Sequence, residues 1–176
     1  MIEKIKRIQS LFTETLLAPF TYDIRVNVKG VVTAWCTLSS PTLLLPAVTL
    51  IKQVGSRLST ITAYQHTSPL PSDVHEIAYH FDIDGDTLTL TVHLPEGERD
   101  IASITPLFRN ANWNEREFME LYDLNVVGHP NPTRLFIDDD IDPAVLQKFI
   151  PFSEMVNAAS TKSLWEKIMS QRGEKK

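Results

Sequence analysis

A chain of 176 residues, 43% hydrophobic and 22% charged, is long enough to bury a core and has the composition of one folded domain with or without a tail. Its net charge of −5 and the lack of any basic block exclude the phosphate-binding footprint of a nucleic-acid protein. Cys36 is the sole cysteine, which excludes an internal disulfide, a cysteine zinc site and a thiolate-held cluster, and the 6 scattered glycines form no phosphate loop.

The first residues, MIEKIKRIQSLF, interleave charges with isoleucines and lack the apolar core of a signal peptide. Ile2, Ile5, Ile8, Leu11, Phe12 and Leu16 recur at helical spacing, which predicts an amphipathic helix ended by Pro19. TYDIRVNVKG then alternates through Ile24, Val26 and Val28 as a half-buried strand, Gly30 turns the chain, and VVTAWCTL returns as its hairpin partner, with Cys36 buried.

Ser40-Pro41 reads as a helix entry, with Leu43, Leu44, Ala47, Val48 and Ile51 on one face and Gly55 as the C-terminal cap. This is the longest apolar stretch, and Pro46 and Thr49 interrupt it well short of a membrane span. A soluble, cytoplasmic chain is the expectation. LSTITAYQ has the β-branched content of a strand, and SPLPS is a loop. In HEIAYHFDIDGDTLTLTVHLP two alternating strands flank Asp84-Gly85, a dipeptide suited to the positive φ values of a tight hairpin. Asp82, Asp84 and Asp86 superficially resemble a calcium loop, but no closing glutamate follows at the right spacing.

After the short connection ASITPLF, the stretch ANWNEREFMELYDLNVVGHP reads as a helix that stops at Gly128-His129-Pro130. At about 100° per residue, Trp113, Phe118, Met119, Leu121, Tyr122 and Leu124 cover a very wide apolar arc. Arg116, Glu120 and Asp123 share the narrow remaining face, where solvent or a local ion pair belongs. Glu115 and Glu117 fall inside the apolar arc, where an unpartnered carboxylate is costly. A cap by Asn112 with Glu115 three residues on accounts for the first glutamate and only partly for the second. An active site and a docking surface both fit these residues: carboxylates beside a histidine serve acid–base chemistry, and the same carboxylates on an apolar helix await a partner.

The histidines favour the second. His75 and His80 differ by an odd number and point to opposite strand faces, so they do not form a metal pair; His93 and His66 read as chance strand histidines. His129, held between Gly128 and Pro130-Asn131-Pro132, has no serine or cysteine nucleophile motif with it, although a free-standing enzyme using His129 with Glu115 or Glu117 stays open as a rival. The acidic run at 138–140 reads as a solvated turn, and Leu164, Trp165, Ile168 and Met169 form an apolar stripe at the end of the chain. The order of elements predicts an α+β domain with a mixed β-sheet covered by helices over residues 1–140, followed by a C-terminal partner-binding tail over 141–176.

SITPLF, ANWNERE, GHP and Arg134, at this spacing, resemble the family of the 30 kDa subunit of respiratory complex I, the C-type subunit of NADH-quinone oxidoreductase, a domain that also serves group 4 membrane-bound nickel–iron hydrogenases. The similarity spans residues 43–136 and takes in the preceding hairpin. The resemblance implies a cofactor-free, non-catalytic subunit that docks on a large hydrogenase-like subunit beside an iron–sulfur subunit. It implies a place on the cytoplasmic face of the inner membrane, held there only through the complex. Trp113, Glu115, Arg116, Glu117, His129 and Arg134 are the residues it points to for partner binding. Glu120 stands where the family usually has aspartate, and Asp123 where it has glycine. RLFIDDDIDPAVLQKFIPF carries neither the tryptophan nor the Leu-Arg-Lys-Asp segment of bacterial complex I members, which points to the hydrogenase branch.

Overall fold

The computed structural model describes residues 2–65 and 75–138, so SPLPS, His66, the acidic run beyond Asp138 and the tail over 141–176 lie outside the described residues. The opening helix α1 (Ile2–Thr15) buries Ile5, Ile8 and Phe12 completely, and the Leu16 N–H still bonds the Phe12 carbonyl before the chain turns away. β1 (Phe20–Val26) and β2 (Val32–Leu38) form the expected antiparallel hairpin. The alternation fades earlier than the sequence suggests: Val26 is 54% exposed, and Val28 lies at the turn tip, where the Asn27 side chain accepts the Lys29 and Val31 N–H groups. The inward face of β1 is Phe20, Tyr22 and Ile24, and Tyr22 donates its hydroxyl to the Ile5 carbonyl of α1.

Ser40 accepts from the Thr42 N–H and starts a 3₁₀ turn (Pro41–Leu43), which leads into α2 (Leu44–Gln53) with Leu44, Ala47, Val48 and Ile51 buried as the spacing predicts. β3 (Arg57–Gln65), β4 (His75–Ile83) and β5 (Asp86–Leu94) follow. The turn between β4 and β5 places Asp84 at φ 55° and Gly85 at φ 90°, the left-handed pair that an Asp-Gly hairpin requires. The sheet order is β1-β2-β5-β4-β3, antiparallel throughout except that β2 and β5 run parallel, so the mixed α+β sheet of the expectation is present. The parallel pair arises because the connection through α2, β3 and β4 carries the chain across to the far edge before it returns.

Covering is one-sided. Alternate residues of β4 and β5 (Ile77, Tyr79, Phe81, Leu88, Leu90, Val92) join Ile5, Ile8, Phe12, Val48 and Ile51 in one core. Their neighbours on the opposite face, including Trp35, Thr87, Thr89 and Thr91, stay exposed or half-exposed. A short β6 (Asp100–Ala102), the helix α3 (Ala111–Tyr122) and β7 (Asn125–Val127) complete the described residues, with β6 and β7 paired in parallel. α3 lies along the outer edge of β3. Asn110, just before the helix, donates to the Leu58 carbonyl at 2.8 Å, and Tyr122 at its end donates to the Ala63 carbonyl at 3.0 Å. Side-chain donors thus occupy an edge that would otherwise recruit a strand.

α3 is shorter than the sequence indicates. It ends at Tyr122 because Asp123 adopts the left-handed conformation, φ 53°, and Asn-Val-Val then pairs with β6 instead of continuing the helix to Gly128.

Candidate functional site

The Glu-Arg-Glu cluster and the Gly-His-Pro turn meet, but each residue does something different. Glu115 is completely buried; it accepts from the Ser103 hydroxyl at 2.6 Å, the Ile104 N–H at 2.6 Å and the Thr105 hydroxyl at 2.7 Å. It is no capping-box partner: Asn112 lies inside the helix, and the N-cap Asn110 makes no side-chain cap bond. A buried carboxylate is tolerable because the SITP loop wraps donors around it, and charge-assisted bonds of this kind are among the strong ones. Burial, and then the Glu115 charge nearby, hold the Tyr79 hydroxyl well above its ordinary pKa.

His129 is buried behind the same loop. Its Nδ1 accepts from the Asn131 N–H at 3.0 Å, which assigns the proton to Nε2, facing the Asn112 carbonyl at 3.3 Å and Glu115 Oε2 at 3.6 Å. Gly128, at φ 81°, supplies the left-handed residue that aims the ring inward. Both side chains of the His129–Glu115 pair are closed to solvent, so the pair joins the turn to α3 and offers no opening to a substrate.

Arg116 and Glu120, one turn apart on α3, hold the segment that follows the turn. Arg116 donates to the Thr133 and Arg134 carbonyls, and Glu120 accepts the N–H groups of Leu135, Phe136 and Ile137 at 2.7–2.8 Å. The narrow face assigned to solvent is therefore covered, and Glu120 is only 9% exposed. Burial alone pushes its carboxyl up, but the backbone donors and the Arg134 charge outweigh it and keep the pKa below the ordinary value. Arg134 in turn donates to the Asp138 carbonyl at 2.8 Å.

Trp113 and Glu117 look outward into different grooves. Trp113, 69% exposed, lines an open groove with Thr105, Pro106, Arg109, Asn112 and Pro130. Glu117 is half-buried in the cleft between α3 and β3, beside Thr62, Asn114 and Leu121. The six residues singled out from sequence are thus divided among an interior lock, a backbone clamp and two grooves. Ser103, Thr105 and Glu120 went unrecognised as their partners; the available signal was the pair of hydroxyls flanking Ile104, ahead of a helix carrying an unexplained glutamate.

The other histidines do not gather. His75 is buried on the helix-covered side of the sheet, whereas His80 bridges the Thr62 and Thr89 hydroxyls on the open side and has its pKa lowered by burial. His93 pairs with Glu76 at 3.0 Å. Among the described residues no group of His, Cys, Asp and Glu is placed to hold a metal ion.

Residues 38–161 match the family of the respiratory-chain NADH dehydrogenase 30 kDa subunit. The chain belongs to that family. The match extends past residues 43–136 at both ends. Among relatives of the 30 kDa subunit family, the fused C/D subunit of NADH-quinone oxidoreductase from Pectobacterium atrosepticum is 28% identical over 148 residues, covering 76% of this chain and 23% of that protein. The fused C/D protein of Erwinia tasmaniensis is 35% identical over 88 residues, 49% of this chain and 15% of the relative. The chain therefore spans less than a quarter of the length of these fused relatives. Two solved structures share the fold. A trypsin-resistant fragment of Nqo5 has a TM-score of 0.56 at 23% identity, covering 73% of this chain and 98% of the fragment. A chain of the membrane-bound sulfane sulfur reductase, an archaeal respiratory membrane complex, has a TM-score of 0.60 at 10% identity, covering 90% and 93%. Among the described residues of this 30 kDa-type chain, no helix is long and apolar enough to cross a membrane.

Proposed function

We propose that this chain is a non-catalytic, cofactor-free structural subunit that docks on the large, hydrogenase-like subunit of a membrane-bound electron-transfer complex of the hydrogenase type. The observation that carries the reading is the division of labour on α3: Glu115, His129, Arg116 and Glu120 are engaged internally, and the rigid frame they build leaves Trp113 in solvent at 69% exposure. A large aromatic side chain held out by its own scaffold marks an interaction surface. Trp113 and Glu117 contact the partner directly, while Glu115, Arg116, His129 and Arg134 contribute by fixing the shape of that surface. The tail over 141–176 binds a neighbouring subunit, the adjoining iron–sulfur subunit being the one proposed, and the whole sits peripherally on the cytoplasmic face of the inner membrane.

The second reading, the C-type subunit of an NADH-quinone oxidoreductase, draws its support from the names of the relatives above. The absence of the complex I segment after Arg134 supports the hydrogenase type. Replacement of the resident gene by Trp113→Ala tests docking: the chain should be present and folded, but recovered with the membrane complex in much smaller amount. Recovery at the native level would refute it. In a strain lacking the gene, loss of membrane-associated hydrogen evolution is the expected result, with ferredoxin, formate or carbon monoxide as donor. Loss of NADH-dependent quinone reduction instead would select the second reading.

A further inference from the structure

The charged groups of the described residues are mostly satisfied within the chain. Arg25 pairs with Asp23, Arg57 with Asp82, and Lys4 with Asp84. Arg99 donates to the Tyr122 carbonyl, and Arg116 and Arg134 hold backbone carbonyls. The open face of the sheet is self-contained in the same way, since Glu76 meets His93 and His80 meets threonine hydroxyls. A solvated face explains it without a partner.

The groove at Trp113 is different. Its walls are Pro106, Trp113 and Pro130, its polar floor is Thr105 and Asn112, and its single charge is Arg109, with no carboxylate in the lining. Among the described residues Arg109, itself exposed, finds no side-chain hydrogen bond or ion pair, nor does it stack on the Trp113 ring, as Arg25 stacks on Trp35 at 5.1 Å. The N-terminal end of α3 opens beside it without a side-chain cap and adds positive potential of the same sign. In a chain of net charge −5, an uncompensated cation beside an exposed indole is complementary to one kind of surface.

We infer that the groove receives an acidic segment of the large partner subunit, with an apolar or aromatic side chain laid on Trp113 between Pro106 and Pro130 and an Asp or Glu carboxylate paired with Arg109. This rests on the docking reading proposed above and adds the chemistry of what docks. The pairing gives orientation as well as attraction, because a guanidinium and a carboxylate meet in a fixed fork while the indole fixes the distance from the groove floor.

The test uses the assembled complex. Benzoylphenylalanine placed at position 106, on the groove rim, should cross-link to one segment of the large subunit, and the peptide recovered should contain an Asp or Glu. Arg109→Glu should lower recovery of the complex about tenfold, while leaving the thermal midpoint of the chain unchanged, because the residue is exposed and unpaired. Changing the cross-linked acid of the partner to lysine should restore assembly of Arg109→Glu. A cross-linked peptide without an acid, a cross-link to lipid, or normal assembly of Arg109→Glu alongside failure of Trp113→Ala overturns the acidic partner and leaves docking standing. Normal assembly of both variants overturns docking itself, and the inference with it.

Discussion

Removing the Glu115 carboxylate tests the central claim that this residue is a structural lock. In Glu115→Ala, the Ser103 hydroxyl, the Ile104 N–H and the Thr105 hydroxyl lose an acceptor they hold at 2.6–2.7 Å, and all three lie in a buried loop. The Ser103 oxygen would keep one contact, since it already accepts from the Thr105 N–H at 3.2 Å. An unmatched buried donor costs about 1–3 kcal/mol, and the three share one acceptor and are not additive, so a loss of about 3–5 kcal/mol is expected. For a chain of this size that corresponds to a fall in thermal midpoint on the order of 10 °C. Glu115→Gln keeps the shape and one acceptor oxygen for Ile104, and the hydroxyls can rotate to accept from its amide, so about 1–2 kcal/mol is lost. Urea titration followed by far-UV circular dichroism measures both. If Glu115→Ala lies within about 1 kcal/mol of the native chain, the lock has no energetic weight and the glutamate is free for another role.

The pH behaviour of Glu120 follows from its depressed pKa. A carboxyl held lower in the folded than in the unfolded chain contributes stability that is present above the ordinary glutamate pKa of about 4.3 and is lost as pH falls through the folded value. Hydrogen-exchange protection of the Leu135, Phe136 and Ile137 amides should therefore drop selectively in acid, and Glu120→Gln should remove that pH dependence; protection that is flat with pH in the native chain would refute it. At Asp123, φ 53°, Asp123→Gly relieves a left-handed residue and should raise stability by about 0.4–1 kcal/mol, read from the urea midpoint. A decrease there would show that the aspartate side chain has a role the backbone conformation hides.

Periodicity made much of the fold legible. The two-residue repeat on either side of Asp84-Gly85 and the three-to-four-residue spacing of Ile5, Ile8 and Phe12 each specify which face is apolar, and the core uses those faces. α3 was harder because nearly its whole circumference is apolar, so spacing marked its anomalies without saying what covered them. The sign of its true end was nevertheless present: Asp123 occupies the position where the resemblance expects glycine, the residue suited to a left-handed C-terminus.

Sequence by itself determined the element types, the α+β class, the family and the set of residues around which the site is built. Only the tertiary structure decided what those residues do. A helical wheel assigns Glu115, Arg116 and Glu120 to faces, but burial of a charge depends on donors brought from elsewhere in the chain. Here Ser103 and Thr105 come from the loop before the helix, and the amides of 135–137 from the segment after it. Those segments return to α3 because β6 and β7 pair across it, a contact between residues 25 positions apart that no local pattern encodes. The same closure leaves Trp113 and Arg109 outside, which is why the outward surface became visible only when the inward bonds were placed.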